Sequence, residues 1–457
     1  MLTRLSLANF KSWKRIEEMD CAPITGLFGA NSSGKSSILQ LLLMLKQTVE
    51  SPDRAQALIF GDERTPASLG TFGDIAHGHD TSSSLTWDLQ WQMPKKLTIR
   101  DPADPTRTLF TGDRLRFEAE LRSDSGRLSV EQMCYSFAGH EFQMQRKKGS
   151  PSKYELVVRK GDFTFTRTRG RPWELPPPVK CYGFPDQTKA YYQNAEFLSD
   201  LQLAFERLFG QLYYLGPLRD YPRRQYTWAG AEPADMGQRG ERVVDALLAA
   251  RQRGSVISRG RGTRRMLLEA YVAHWLKKLG LIHSFAVQSI AEGSNLYRVT
   301  VRKSPSSADV LLTDVGFGVS QVLPILVLCY YVPEGSTVLL EQPEIHLHPS
   351  VQAGLADVFI DAVDKRKVQI IFESHSEHLL QRLQRRVAEG RATEHGISED
   401  LVRPYFCKML DGQTRLVPLE LDLLGNITNW PEGFFGDRFA ETAAMAEAAA
   451  SRQARSG

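Results

Sequence analysis

Two short stretches concentrate the residue types that can do chemistry. The first is Gly29-Ala30-Asn31-Ser32-Ser33-Gly34-Lys35-Ser36, which follows the spacing G-x-x-x-x-G-K-[ST]. In such a loop the glycines let backbone N–H groups wrap phosphates, and the helix that follows points its positive end at them. Lys35 is the residue placed to reach the outer phosphates, and the Ser36 hydroxyl the one to hold Mg²⁺. Gly29, Asn31, Ser32, Ser33, Gly34 and Ser37 complete the phosphate-binding set.

The second stretch is TVLLEQPEIHLHP, residues 337–349. An apolar strand there ends in Glu341, the position from which an acid supports Mg²⁺ through water beside a phosphate loop. The next residue is Gln342, which cannot accept a proton at neutral pH. Glu344, just after Pro343, is the candidate base in its place. His346 and His348 alternate with Glu344, but no further ligands cluster in sequence as a zinc site requires. In FESHSEHLL, residues 372–380, His375 ends the next strand, where a side chain can sense a terminal phosphate, and His378 reads as structural.

These residues need a parallel sheet to bring them together, and the hydrophobic pattern supplies one. Pro23–Phe28, STVLLE and KVQIIFE are short apolar runs of buried-strand type. SSILQLLLMLKQTV, VLPILVLCYYV, PSVQAGLADVFIDAV and SEHLLQRLQRRVAEG have helical spacing, and Gly390 stops the last of them. LTRLSLANF at the start alternates as a half-buried strand. Between about 81 and 168 the pattern is antiparallel β, in SLTWDLQW, RLRFEAELRS, RLSVEQMCYSF, YELVVRK and DFTFTRT. Residues 170–235 read as irregular. Two helices and a hairpin follow. The expected fold class is α/β: a P-loop head formed by residues 1–80 and 305–425, split by an inserted β-rich and helical region at 81–304. Residues 426–457 are a C-terminal motif and an alanine-rich tail.

The composition bounds the partners. The chain has 457 residues, 57 Lys+Arg against 53 Asp+Glu, and a net charge of +4, too mild to imply nucleic-acid binding by itself. Five scattered cysteines without a CxxC pair fit a reduced, cytoplasmic protein. No run reaches the length of a membrane span, so no membrane partner is expected. Arg251, Arg253, Arg259, Arg261, Arg264 and Arg265 crowd one acid-free loop rich in glycine and serine. Arginines in such a loop are nucleic-acid candidates, for DNA or RNA, through phosphate contacts that carry no sequence information; a solvated loop is the alternative. RDYPRR, residues 219–224, is a second basic stretch, suited either to packing or to contacts on the phosphate side.

Taken in order, GANSSGKSS, TDVGFGVSQVLPIL, LLEQPEIHLHP and ESHSEHLL resemble the ABC-type ATPase heads of the SMC/RecF/OLD-like group. NWPEGFFGDRF resembles the short C-terminal domain of unknown function found in prokaryotic AAA-family ATPases. The resemblance implies ATP and Mg²⁺ as cofactors and a head-to-head dimer with ATP between the subunits. It implies that Gly316, Gly318 and Ser320 belong to the signature loop, which meets the partner's nucleotide, and that His375 is the switch histidine. The usual signature serine aligns with Gly316, so Ser320 is displaced from that position. Relatives with this head often serve in defence against phage or plasmids. The remaining C-terminal residues are too few for a nuclease domain, so the resemblance implies a separate effector or nuclease partner. Alternatives are a RecF-like DNA-repair ATPase and an ATP-assembled scaffold that does not hydrolyse, the latter favoured by Gln342.

Overall fold

The structure, a computed structural model, describes all residues except 102, 103, 105, 125, 151, 172, 173, 259–264, 391, 392, 394, 395, 432–443, 450, 451 and 453–457. Its centre is a six-stranded sheet in the order Gln413–Pro418, Val402–Leu410, Ile24–Phe28, Gln369–Ser374, Thr337–Glu341, Leu212–Leu215. All neighbours are parallel except the first pair. Apolar residues serve both faces, as a parallel sheet covered on both sides requires. Along Thr337–Glu341, Leu339 faces one core while Val338 and Leu340 face the other.

The first core lies between this sheet and a seven-stranded antiparallel sheet, with the helix Lys35–Glu50 between them. The second core is built with the helices Val243–Gln252, Leu268–Lys278, Gly318–Tyr331, Pro349–Arg366 and Glu377–Glu389. Gln369 ties the two sheets together. Its side chain accepts from Leu2 N at 2.9 Å and donates to Leu2 O at 2.6 Å and Ala22 O at 3.1 Å.

The antiparallel sheet runs Trp13–Asp20, Leu2–Phe10, Leu85–Arg100, Thr108–Asp124, Arg127–Phe137, His140–Arg146, Tyr154–Lys160. Leu5 pairs with Leu89 and Leu7 with Trp87, so the boundary expected near residue 80 falls inside one continuous sheet. Three sequence expectations need correction. Asp162–Thr168 is not a strand; it makes one bridge, Arg167 with Tyr192. Its Phe163 and Phe165 turn onto Phe142 and Phe197, so packing takes the alternation that reads as a strand. Residues 170–235 are not simply irregular, since they hold the helix Leu198–Gly210. They also supply Leu212–Leu215 to the edge of the central sheet, so the head recruits a strand from the region expected to be inserted into it. No helix among the described residues is long and apolar enough to cross a membrane.

Candidate nucleotide site

The loop Gly29–Gly34 joins the strand Ile24–Phe28 to the helix Lys35–Glu50, so its peptide groups meet the helix N-terminus. Gly29 (φ +146°) and Gly34 (φ +83°) adopt backbone conformations that side chains disfavour. A Cβ on Gly29 would sit 2.4 Å from the Cys407 carbonyl, and one on Gly34 would sit 2.4 Å from Ser12 Oγ. The far wall is therefore the turn at Ser12–Trp13 and the strand Gln413–Pro418. Trp13 Nε1 donates to Gly34 O at 2.9 Å, and Thr414 Oγ1 to Ser12 Oγ at 2.7 Å.

Lys35 is buried, and Nζ donates to Gly29 O at 3.1 Å and Ala30 O at 2.7 Å. Burial lowers its pKa, while the Glu373 carboxylate acts in the opposite direction. Asn31 and Ser32 are exposed at the loop tip, and Ser33 and Ser37 are buried. Ser36 Oγ donates to Glu373 Oε2 at 2.6 Å.

Glu341 and Glu373 are register partners at the ends of neighbouring parallel strands. Glu341 is buried, and that burial, reinforced by the Glu373 charge, pushes its pKa up to about 7. The Tyr214 hydroxyl hydrogen-bonds its carboxyl, and Lys11 and Arg219 act on it as cations. Burial also raises the pKa of Glu373. Two residues after Glu341, Pro343 carries the chain into a tight turn with Gln342 at φ 43° and His346 at φ 60°. Gln342 N donates to Glu373 O at 3.0 Å. The turn folds Glu344 inward: its Oε1 accepts from His375 N at 2.6 Å, and burial raises its pKa. His375 is half-buried, its pKa lowered by burial and by the Lys35 charge, with Gly29 hydrogen-bonded to it.

The structure thus gathers Lys35, Ser36, Glu341, Glu344 and His375 around one loop. Glu373, Tyr214 and Lys11 join them without having been assigned a role from sequence, and Arg219 joins them from RDYPRR, for which packing and phosphate-side contact were both open. Glu373 lies inside the ESHSEHLL run, where its position at a strand end beside His375 was the available signal. The other three arrive through pairing of segments far apart in the chain. Sequence reasoning gives the metal contact to Ser36 and Glu341, whereas the acid that Ser36 touches is Glu373.

Mg²⁺ keeps several waters and is commonly held by one or two carboxylates plus substrate phosphates. Ser36 with Glu373 and Glu341 fits that donor set. Among the described residues no group of three His, Cys, Asp or Glu side chains is arranged to hold a metal, so His346 and His348 form no such centre with Glu344. His348 instead caps the helix Pro349–Arg366, its Nδ1 accepting from Ser350 N.

Gly316 and Phe317 are exposed just ahead of the helix Gly318–Tyr331. Ser320 is buried in its first turn and donates to Phe317 O at 2.7 Å, so its hydroxyl is committed within the helix. Phe317 lies between Tyr221, at 5.7 Å, and His346, at 5.5 Å between ring centroids. Arg251 is bound to Glu269 and to Val287 O, and Arg253 to Glu232 and the Tyr331 ring. Those two arginines are exposed but paired with the protein's own groups, Arg265 is exposed, and Arg259, Arg261 and Arg264 lie outside the described residues.

A phosphate loop beside a parallel sheet whose neighbouring strands end in acids defines a P-loop ATPase head. The family model described as AAA domain, putative AbiEii toxin, Type IV TA system, matches residues 24–84 and 204–381, more than half of the chain, which therefore belongs to that family. A second model, a protein of unknown function (DUF3696), matches residues 397–445. No curated protein matches. Among solved structures the chain is similar to an SMC head bound to the C-winged helix domain of ScpA, with 12% identity, a TM-score of 0.45, and coverage of 92% of this chain and 98% of that one. It is also similar to the SMC head domain from Thermotoga maritima, with 12% identity, a TM-score of 0.41, and coverage of 92% and 99%.

Proposed function

We propose that this protein is a slow ATP-hydrolysing switch whose heads pair in the ATP-bound state and control a separate effector. Family membership and the P-loop head support ATP as the ligand. The observation that carries the reading is the cluster at the strand ends: Ser36 on Glu373, Glu373 beside Glu341, and Glu344 held against His375 N. Lys35 is positioned to exchange the Gly29 and Ala30 carbonyls for phosphate oxygens. Ser36, Glu373 and Glu341 would hold Mg²⁺, which would neutralise phosphate charge there. Gln342 cannot take a proton, and Glu344, buried and raised in pKa, serves as the base. A base reached by a detour of the chain suits slow turnover and long dwell in the ATP state. The exposed Gly316–Phe317 tip supports a face that meets a second head. A nuclease effector in defence is the partner that the family resemblance favours.

The test is phosphate release by the wild type beside Glu344→Ala, with the ATP-bound oligomer sized in parallel. Turnover by the wild type alone, with dimers formed by both, supports the switch. Dimers without turnover in either protein favour the scaffold reading, which Gln342 supports. Engagement of Arg251 and Arg253 by the protein's own acids weighs against a DNA-repair role built on that loop.

A further inference from the structure

Arg219 follows the edge strand Leu212–Leu215 and is only 6% exposed. Its Nη2 reaches the Glu341 carbonyl at 3.5 Å. Its Nε and Nη1 are buried with no hydrogen-bond partner among the described residues. Glu344 mirrors this arrangement. Oε1 is tethered to His375 N, the Ser374 hydroxyl also acts on the carboxyl, and Oε2 is buried with no partner among the described residues. A buried cationic donor and a buried anionic acceptor, each left unpaired, are destabilising unless some state of the protein satisfies them. The two are electrostatically coupled, and each is anchored by its other end to one of two neighbouring strand ends. A water that accepts from one of these donors and donates to Glu344 Oε2 pairs with both residues.

We propose that Arg219 and Glu344 form a clamp for the attacking water, doing together what Gln342 cannot do. This rests on the hydrolytic reading above. One Arg219 N–H, from Nε or Nη1, donates to the water oxygen and leaves its second lone pair free for phosphorus, and Glu344 Oε2 accepts one of its protons. The water oxygen forms a bond to the γ-phosphorus, and the bond from that phosphorus to the β–γ bridging oxygen breaks. The electron pair leaves on the β-phosphate of ADP, and the proton rests on Glu344. Arg219 is thereby a catalytic residue supplied by the region between the two sequence-contiguous parts of the head. A guanidinium suits the role because its fork offers several fixed donors, whereas an ammonium is a point charge.

The experiment uses the full chain with ATP and Mg²⁺ and compares Arg219→Gln, Arg219→Lys, Glu344→Gln and the Arg219→Gln/Glu344→Gln double variant. Phosphate release gives kcat and KM, a fluorescent ATP analogue gives Kd, and thermal melting reports folding. Loss of about 100-fold in kcat is expected for each single variant, with Kd little changed, as for removal of one preorganised donor. The double variant should be no worse than either single, because the two residues act as a unit. If Glu344→Gln is inactive while Arg219→Gln keeps kcat within about threefold, the clamp is overturned and the hydrolytic reading stands. A wild type without turnover, or Glu344→Gln with full turnover, overturns both. A weakened Kd with intact kcat makes Arg219 a structural countercharge and overturns the clamp. Should Arg219→Gln fail to fold, Arg219→Lys decides: wild-type kcat in that variant overturns the clamp, and a lost kcat with normal melting supports it.

Discussion

The Ser36 hydroxyl donates to Glu373 Oε2 at 2.6 Å, and Glu373 is the strand neighbour of the acid that sequence spacing nominates, Glu341. Two carboxylates therefore share the place where one is expected, and their separate contributions can be measured. Glu373→Gln keeps the shape and removes the charge. We expect nucleotide affinity measured in EDTA to change little, and the gain on adding Mg²⁺ to shrink by roughly 10–100-fold in metal affinity. Titration of a fluorescent ATP analogue with and without Mg²⁺ reads both. An undiminished Mg²⁺ effect would assign the metal to Glu341 alone.

Glu341 predicts a pH dependence of stability. Its pKa rises from the ordinary 4.5 to about 7, chiefly through burial. The folded form then binds more protons than the unfolded one between those values, so this group's contribution falls as pH rises through that window. His375, with a lowered pKa, acts in the opposite sense. Glu341→Gln isolates the carboxylate. Relative to wild type it should gain about 2–3 kcal/mol of ligand-free stability between pH 5 and pH 8. Denaturant melts at the two pH values, compared as a difference of differences, decide it.

The head was largely legible in the sequence. The phosphate loop and LLEQPE are contiguous words, each written within about ten residues, and the alternation of apolar runs and helical spacings announced a parallel sheet. Tyr214 was not legible as a site residue, and Arg219 was legible only as part of a basic stretch open to packing or to phosphate-side contact. They reach Glu341 only because Leu212–Leu215 pairs with Thr337–Glu341, a contact more than 120 residues apart in the chain. DFTFTRT failed for the opposite reason: its alternating phenylalanines match a strand locally, and an aromatic cluster claims them instead.

Gly34 carries a prediction of geometry. At φ +83° a Cβ is strained, and it would also meet Ser12 Oγ and Thr414 Oγ1 at 2.4 and 2.7 Å. Gly34→Ala should destabilise the fold by about 1–2 kcal/mol and weaken nucleotide binding, because the loop must shift. Unchanged melting and unchanged Kd would show that the loop yields without cost.

Asp357 is buried between Arg382, at 2.8 Å, and Arg386, at 2.7 Å, and so joins the helices Pro349–Arg366 and Glu377–Glu389 behind His375. Removing it takes the acid from Arg382 and leaves Arg386 with Glu389 alone. Asp357→Ala should cost about 3–5 kcal/mol in denaturant unfolding. A loss below about 1 kcal/mol would reduce the cluster to a surface pair.

Arg251 and Arg253 provide a negative control for nucleic-acid contact. Replacing both with alanine should lower the melting temperature, since Glu269 and Glu232 lose their partners. The salt dependence of any DNA binding should stay unchanged, because phosphate contacts alone set that slope. A shallower slope would return these arginines to the DNA-contact set.

The order of strands in the central sheet also has a consequence for synthesis. Ile24–Phe28, which carries the phosphate loop, lies between Gln369–Ser374 and Val402–Leu410. It is synthesised well before either neighbour, both of which lie far downstream in the chain. Parallel pairing over such separations is slow and waits for the chain to be delivered. A nascent chain thus cannot complete the sheet around its phosphate loop until both of these later strands have been made.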